Sequence, residues 1–457
     1  MRFGIKNLGP IKDANIEIGD LTIICGKNNC GKTYLTYSIY IFLTKFCEFF
    51  TADFSKNYVE KLLKHGSCTI DLADVLQKYF SDIEKAVVRF KPFLTWALAI
   101  RKEHENTNFN FGVDFVKEDF FDILLMTKIS NKWRITEACS FLSNKNKSST
   151  IMTFELENKE EFLPPKNVLC DRFNKLVSYF LTFVIIPDAF SLTGERSGIS
   201  IFADNIATTT RELEKQGKAN EIVNNDDGTS VTPLAFPLPI YKEIEFFQRL
   251  KSIKQKESFF STLGDDIYSR IMNKFTDLSG GVYDWNEQNG MQYSPKDSLL
   301  SLDLPESSSS SKSMAELCFY LKHCAKIGQV LMIDEPELNL HPANQRKMAQ
   351  LLAMLVNNGV KVFITTHSDY LIREFNTLIM LKQDKPHIAR IKEKEGYSEI
   401  ELLDSSKVRA YVANCSPDGV SFVAASIDQE SGISITTIDD VIDKMNQIQD
   451  EIIWGAE

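Results

Sequence analysis

Apolar and polar positions alternate at the start of the chain, with Phe3 and Ile5, then Ala14, Ile16 and Ile18, then the run Leu21-Thr-Ile-Ile-Cys25. Turn signals at Gly9-Pro10 and Gly19-Asp20 divide them, which predicts two short strands feeding a third, buried one. A helix is expected over about 32–50, and its aromatic content predicts that most of its faces are covered. From 51 to 290 the pattern changes to amphipathic helical stretches at 71–98 and 240–276 and a strand-like patch at 134–163, broken by the polar turn Asn224-Asn-Asp-Asp-Gly228. This block reads as a large, mostly helical insertion, a lid or oligomerisation element. No apolar heptad is sustained in it, so long coiled-coil arms are not expected.

Alternation returns at Leu300, Leu302 and Leu304. A Ser-rich loop and a helix follow, then the strand Val330-Leu-Met-Ile333, a helix over about 343–357 closed by Gly359, and the strand Val362-Phe-Ile-Thr-Thr366. Residues 1–50 and 291–396 therefore read as the two parts of one α/β domain around the insertion. Residues 397–457 read as a small α+β tail whose last helix carries Ile438, Val441, Ile442, Met445, Ile448 and Ile452 on one face.

Composition adds constraints on partners. An apolar content of 43% suits a chain with a real core, and 52 basic against 62 acidic residues leave a net charge of −10, so any nucleic-acid contact has to be local. Nine cysteines show neither Cys-x-x-Cys spacing nor matching histidines and are expected to be reduced thiols. The first residues lack the basic stretch and apolar run of a signal peptide. The run 35–46, interrupted by Thr36, Ser38, Thr44 and Lys45, falls short of the ~20 residues a membrane span needs. A cytoplasmic protein with no membrane partner is expected.

The candidate chemistry begins with Gly26, Lys27, Asn28, Asn29, Cys30, Gly31, Lys32 and Thr33, a full match to G-x-x-x-x-G-K-[ST] between an apolar strand and a helix. In that setting loop amides and the helix N-terminus cradle phosphates, Lys32 reaches the terminal phosphates and the Thr33 hydroxyl ligates Mg2+, so ATP is the expected ligand. Ile333-Asp-Glu-Pro-Glu337 ends an apolar strand, which puts Asp334 where phosphate-bound magnesium sits and Glu335 where it can polarise an attacking water. His367 ends the next strand, where it can touch the γ-phosphate or that water. Lys32, Glu335 and His367 are thus the candidate catalytic residues, and Thr33 and Asp334 the candidate metal ligands.

Four further features are open to more than one reading. His341 suits a subunit contact or a helix entry, with Pro342 as the helix opener. Ser313-Met-Ala-Glu316 has the form of a capping box after a Ser-rich loop, a second phosphate grip that suits the ATP of a neighbouring subunit. Leu278-Ser-Gly-Gly281 spells the start of a transporter signature but lies too far ahead of Asp334, and reads as a helix end and turn. Glu195-Arg-Ser-Gly198 would place Arg196 beside a phosphate or on a surface turn. The basic clusters at 144–147 and 251–256 read as solvated surface.

In this order and around a large insertion, GKNNCGKT, the Ser-rich loop, LMIDEPELNLHP and ITTHSD resemble the ABC-type ATPases of the SMC, break-repair and OLD group. The wording NLGPIKDANIEIGDLTIICGKNNCGKTYL looks most like the ATPase subunits of prokaryotic anti-phage systems, such as PtuA of Septu and retron systems or AriA of PARIS. The resemblance covers about 1–50 and 295–385. It implies an ABC/SMC-like P-loop ATPase head that pairs with a second copy, as a dimer or higher oligomer, with ATP held between the phosphate loop of one and the signature loop of the next. Ser308, Ser309, Ser310, Lys312 and Ser313 would then act in trans, although this stretch lacks the glycine pair of the family's signature. OLD proteins carry a Toprim nuclease after the ATPase; the residues after His367 hold no Asp-x-Asp, so a nuclease of HNH or Toprim type is expected as a separate partner. Nucleic acid or a phage component is a candidate trigger. The competing reading is a DNA-repair or DNA-maintenance ATPase that clamps DNA directly, for which the sequence offers no basic channel. A transporter subunit or a small-molecule kinase fits the spacings less well.

Overall fold

The alternating start of the chain forms the strands β1 (Arg2–Leu8) and β2 (Ile11–Glu17), and the apolar run forms β3 (Leu21–Cys25), every residue of which is buried. The computed structural model describes residues 1–50, 53, 55–100, 108–115, 117–137, 139–158, 163–203, 205, 236–286 and 290–454. They fall into two units, one comprising Met1–Arg2, Ile41–Leu94 and Phe111–Asp188 and the other Phe3–Tyr40, Thr95–Asn110 and Ala189–Glu457.

In the latter unit β3 runs through the phosphate loop into α1 (Lys32–Lys45). Strand β4 (Ala189–Leu192), helices α2 (Leu238–Gln248) and α3 (Asp265–Ser279), a meander of β5 (Gly281–Asn286), β6 (Gly290–Pro295) and β7 (Leu302–Asp303), and helix α4 (Ser309–Phe319) follow. The stretch read as one helix over 240–276 is thus split, and the Leu300 to Leu304 alternation yields a strand of only two residues. Then β8 (Val330–Asp334), α5 (Pro342–Asn357), β9 (Lys361–Thr366) and α6 (Asp369–Met380) alternate as the apolar pattern predicts. The chain returns through β10 (Val408–Ser416) and β11 (Gly419–Ala424) to α7 (Thr436–Trp454).

The strand order is β1-β2-β11-β10-β3-β9-β8-β4. From β10 to β4 every neighbouring pair is parallel, with Cys25 opposite Thr366, Thr365 opposite Asp334, and Ile333 opposite Leu192. Within residues 397–457, read as a small α+β tail, β10 pairs with β3 from Val408 opposite Leu21 to Val412 opposite Cys25. Buried Ile23, Leu331 and Ile364 of the sheet share one core with Leu352 of α5 and Phe375 of α6. Side chains of this size stabilise by about 1.5–3 kcal/mol each when fully buried, which holds the strand ends in fixed register.

The other unit contains a four-stranded antiparallel sheet in the order Ser67–Asp71, Ile151–Asn158, Cys139–Lys145, Ile129–Arg134. Phe173, on the helix Lys166–Ile185, packs edge-on against Phe141 and Phe154 of that sheet. Phe42, Phe46, Phe90 and Phe111 form an aromatic cluster. Lys145, placed on solvated surface by its basic neighbours, is 2% exposed, and its ammonium donates to the carbonyls of Leu124, Thr127 and Asn146. The polar turn read at 224–228 lies outside the described residues, as do the side chains of Ile438, Val441 and Ile442, whereas Met445, Ile448 and Ile452 on α7 are exposed.

Candidate active site

Parallel pairing sends β3, β9, β8 and β4 out of the same edge of the sheet, the usual place for a ligand in an α/β fold. Each of these strands ends in a residue with chemistry to offer.

After β3 the chain turns at Gly26, whose φ of +149° and whose position, where a Cβ would lie 2.7 Å from the Cβ of Ala413, leave room only for glycine. Gly31, at φ +68°, sets the loop on the start of α1, and its carbonyl accepts the Leu35 N–H at 3.0 Å. Lys27, Asn28 and Asn29 are exposed at the tip of the loop. Lys32 is buried, and its ammonium donates to the carbonyls of Gly26 at 2.9 Å and Lys27 at 2.8 Å, so the cation lies inside the loop it would serve. Cys30 forms a disulfide with Cys415 at the end of β10, with 6.1 Å between Cα atoms. The expectation of nine reduced thiols is corrected at these two. They meet because β10 pairs beside β3, a partnership across 385 residues that local spacing does not reveal.

Thr33 donates its hydroxyl to Asp334 Oδ2 at 2.8 Å, and Thr365 donates to Oδ1. Burial pushes the Asp334 carboxyl above its ordinary range, and the hydrogen bonds from Thr365 and Thr33 oppose that shift. Glu335 has the left-handed φ of +52°, and its N–H points at the carbonyl and the hydroxyl of Thr365, both at 3.2 Å. Its Oε1 lies 3.3 Å from His367 Nδ1. The same imidazole nitrogen is 3.4 Å from Oε1 of Glu337, a residue the sequence reading did not single out. Glu337 is buried and accepts both the Thr366 hydroxyl, at 2.7 Å, and the His367 N–H, at 2.9 Å. The available signal was its place as a further carboxylate in Ile333-Asp-Glu-Pro-Glu337.

Arg196, just past β4, is not on a surface turn. It is 1% exposed, and its guanidinium donates to three carbonyls: Thr193 at 2.9 Å and Asp334 at 2.7 Å from Nη1, and Glu335 at 2.6 Å from Nη2. Behind it Glu243 of α2 accepts the Thr193 N–H at 2.9 Å, and the buried Glu316 of α4 is close enough to act on its charge. Burial pushes the Glu243 carboxyl up to about 7 and Glu316 upward too. Neither Glu316 oxygen meets a donor among the described residues, so burial favours the neutral, protonated form of this carboxyl.

The cap of α4 is Ser308, whose hydroxyl accepts the Ser311 N–H at 3.1 Å. The capping box read at Ser313-Met-Ala-Glu316 is therefore not formed, because the helix starts more than one turn earlier. Ser313 and Glu316 face inward, and the Ser313 hydroxyl donates to Ser310 O at 2.9 Å. Ser308 and Ser309 are exposed, and Ser310 and Lys312 half-buried. His341 is exposed and caps α5, its Nδ1 accepting the Ala343 N–H at 3.3 Å, which agrees with the helix-entry reading. Helix α3 ends at Ser279 with Gly280 left-handed, as read from Leu278-Ser-Gly-Gly281.

Thr33 and Asp334 together suit magnesium, which takes one or two protein oxygens and fills its remaining positions with phosphate and water. A larger ligand set is not present: among the described residues no group of three or more His, Cys, Asp or Glu side chains is placed to hold a metal.

The sequence model of the AAA ATPase domain matches residues 1–372. The chain belongs to the AAA ATPase domain family. This AAA ATPase thus has a nucleotide-binding, ATP-hydrolysing domain, and its fold is of the α/β class expected from the sequence, with the phosphate loop between a buried parallel strand and a helix. Comparison with curated proteins finds no match. Among solved structures, the AAA ATPase is similar to an Smc head bound to the C-winged helix domain of ScpA (9% identity, 93% of this chain and 97% of that one, TM-score 0.35). It is also similar to an Smc head with an extended coiled coil bound to the C-terminal domain of ScpA from Pyrococcus furiosus (12%, 98% and 98%, 0.35) and to the SMC head domain from Thermotoga maritima (10%, 93% and 98%, 0.30).

Proposed function

We propose that this AAA ATPase is the ATP-binding and hydrolysing subunit of a cytoplasmic anti-phage defence complex, that it oligomerises around ATP, and that it controls a separate effector nuclease. The observation that carries the ATPase part is the convergence at one sheet edge of the Thr33–Asp334 contact, at 2.8 Å, and the Glu335–His367 contact, at 3.3 Å. The defence setting is supported by the wording around the phosphate loop and by the ATPase motifs around a large insertion.

On binding ATP, Lys32 exchanges the carbonyls of Gly26 and Lys27 for phosphate oxygens, and the amides of residues 26–33 line the phosphates. Thr33 and Asp334 would hold Mg2+, which neutralises phosphate charge. Glu335 orients a water and takes its proton as the oxygen attacks the γ-phosphorus and the bond to the ADP oxygen breaks. His367, within reach of Glu335, reports whether the γ-phosphate is present. Ser308, Ser309, Ser310 and Lys312, at the open end of α4, act on the ATP of a neighbouring copy. Turnover is slow, as suits a switch that holds and releases a partner.

The test is the mass of the Glu335→Gln protein by light scattering, with and without ATP. A rise to a dimer or higher multiple only with ATP supports the reading. A single-chain mass in both conditions overturns the role in trans of the Ser-rich turn.

A further inference from the structure

We propose that Arg196 is a positioning residue for hydrolysis, a buried clamp on the backbone turn that presents the Asp334 and Glu335 carboxylates. The inference deepens the ATPase reading and rests on Glu335 as the group that activates water.

Three observations converge on it. First, the guanidinium bonds two successive carbonyls, Asp334 O at 2.7 Å and Glu335 O at 2.6 Å, and ties them through Thr193 O to the end of β4. The guanidinium presents these donors in a fixed planar fork, whereas an ammonium offers a single, freely rotating point of charge. Secondly, Glu335 is a non-glycine residue at φ +52°, a strained conformation that persists where the surroundings over-determine it. Its N–H is held by Thr365, and its carbonyl by Arg196 and by the Leu338 N–H at 3.0 Å. Releasing one hold lets the backbone relax and moves the carboxylate away from His367. Thirdly, the arginine is costly to bury: it is 1% exposed, its Nε meets no acceptor among the described residues, and the carboxyls of Glu243, Asp334, Glu316 and Glu337 surround it. Carbonyls alone could be satisfied by a neutral amide, so the retained cation points to a demand for fixed geometry at the turn. Glu316 stands on α4, so the cation also faces the helix whose first turn carries Ser308 to Ser310.

The experiment compares wild type, Arg196→Lys, Glu335→Gln and the double variant for nucleotide affinity, turnover and thermal midpoint, using a fluorescent ATP analogue for binding. The clamp predicts that Arg196→Lys lowers kcat by about 10- to 100-fold, as small misplacements of catalytic groups do, while Kd for the analogue stays within about 3-fold. It also predicts that in the Glu335→Gln background the same change lowers the residual turnover no further. Unchanged kcat, or affinity and turnover falling together, overturns it. Should Arg196→Lys fail to fold, Glu243→Gln decides. That change keeps an acceptor for the Thr193 N–H and removes a carboxylate facing the guanidinium, so reduced kcat at unchanged affinity supports the clamp and unchanged kcat overturns it. Full turnover by Glu335→Gln would instead remove the ATPase assignment beneath it.

Discussion

Among the described residues, the buried ammonium of Lys32 bonds carbonyls of its own loop, neutral acceptors that a phosphate oxygen can replace. Lys32→Ala removes a charge-assisted partner for phosphate, so the analogue's affinity should fall about 10- to 100-fold, whereas Glu335→Gln, outside the phosphate grip, should keep affinity and lose turnover. Fluorescence titration beside a phosphate-release assay reads both, and equal affinity in wild type and Lys32→Ala would remove the phosphate-loop assignment. Glu337 makes a different prediction. Glu337→Ala leaves the Thr366 hydroxyl and the His367 N–H without their acceptor, at a cost of about 1–3 kcal/mol per buried donor, so the midpoint of chemical denaturation should drop and turnover with it. The Glu243–Glu316 pair sets a pH dependence. With Glu243 raised to about 7 from the ordinary 4.5, the folded chain binds more protons than the unfolded one between those values. The stability this provides is full below about 4.5 and is lost as pH rises through about 7. Arg196 and Thr193 pull Glu243 the other way, and Glu316, itself raised, widens the window upward. Glu243→Gln should flatten the slope of thermal midpoint against pH between about 5 and 8; an unchanged slope would show that the pair carries no proton.

At the scale of elements, β3, α1, β8, α5 and β9 were legible because each carries a local signal: an apolar run of strand length, a glycine loop at a helix start, a Pro helix opener, a Gly helix end. What escaped was whatever depends on pairing between distant segments. β10 pairs on one side with its neighbour β11, as a local hairpin, and on the other with β3, which lies at the far end of the chain and leaves no mark in the residues of β10, and with that pairing came the meeting of Cys30 and Cys415. Ser313 fits the capping-box pattern as well as Ser308 fits a cap, and only the inward packing of α4 around Glu316 decides between them. Arg196 was open to two readings, beside a phosphate or on a surface turn, because a charged residue in a Gly-Glu-Arg-Ser-Gly stretch gives no hint that it will be buried against the backbone. The disulfide carries a prediction of its own. A link across 385 residues restricts the unfolded chain strongly, so thiol reductant should lower the thermal midpoint of wild type and leave that of Cys415→Ser unmoved. A peptide map without reductant should contain the joined Cys30 and Cys415 peptides; separate thiol peptides would refute the link.

For the whole molecule the decisive quantity is net charge. Each chain carries −10, and ATP bound between two copies adds negative charge to an assembly already repelling itself. Self-association in the proposed manner therefore works against long-range repulsion, while its specific contacts, Ser308 to Ser310 and Lys312 on phosphate, act at short range. Salt separates the two, since the screening length shrinks from about 30 Å at 0.01 M to about 8 Å at 0.15 M ionic strength and reaches the distant charges first. At saturating ATP, the Glu335→Gln protein should thus associate more tightly as salt rises over that range, read as a falling midpoint concentration in sedimentation velocity. A clamp on DNA predicts the reverse sign for its own ligand, because phosphate contacts release counterions and weaken with salt. Self-association that weakens with salt would mean that opposite charges pair across the contact, and that the acidic surface of one copy meets a basic patch on the next.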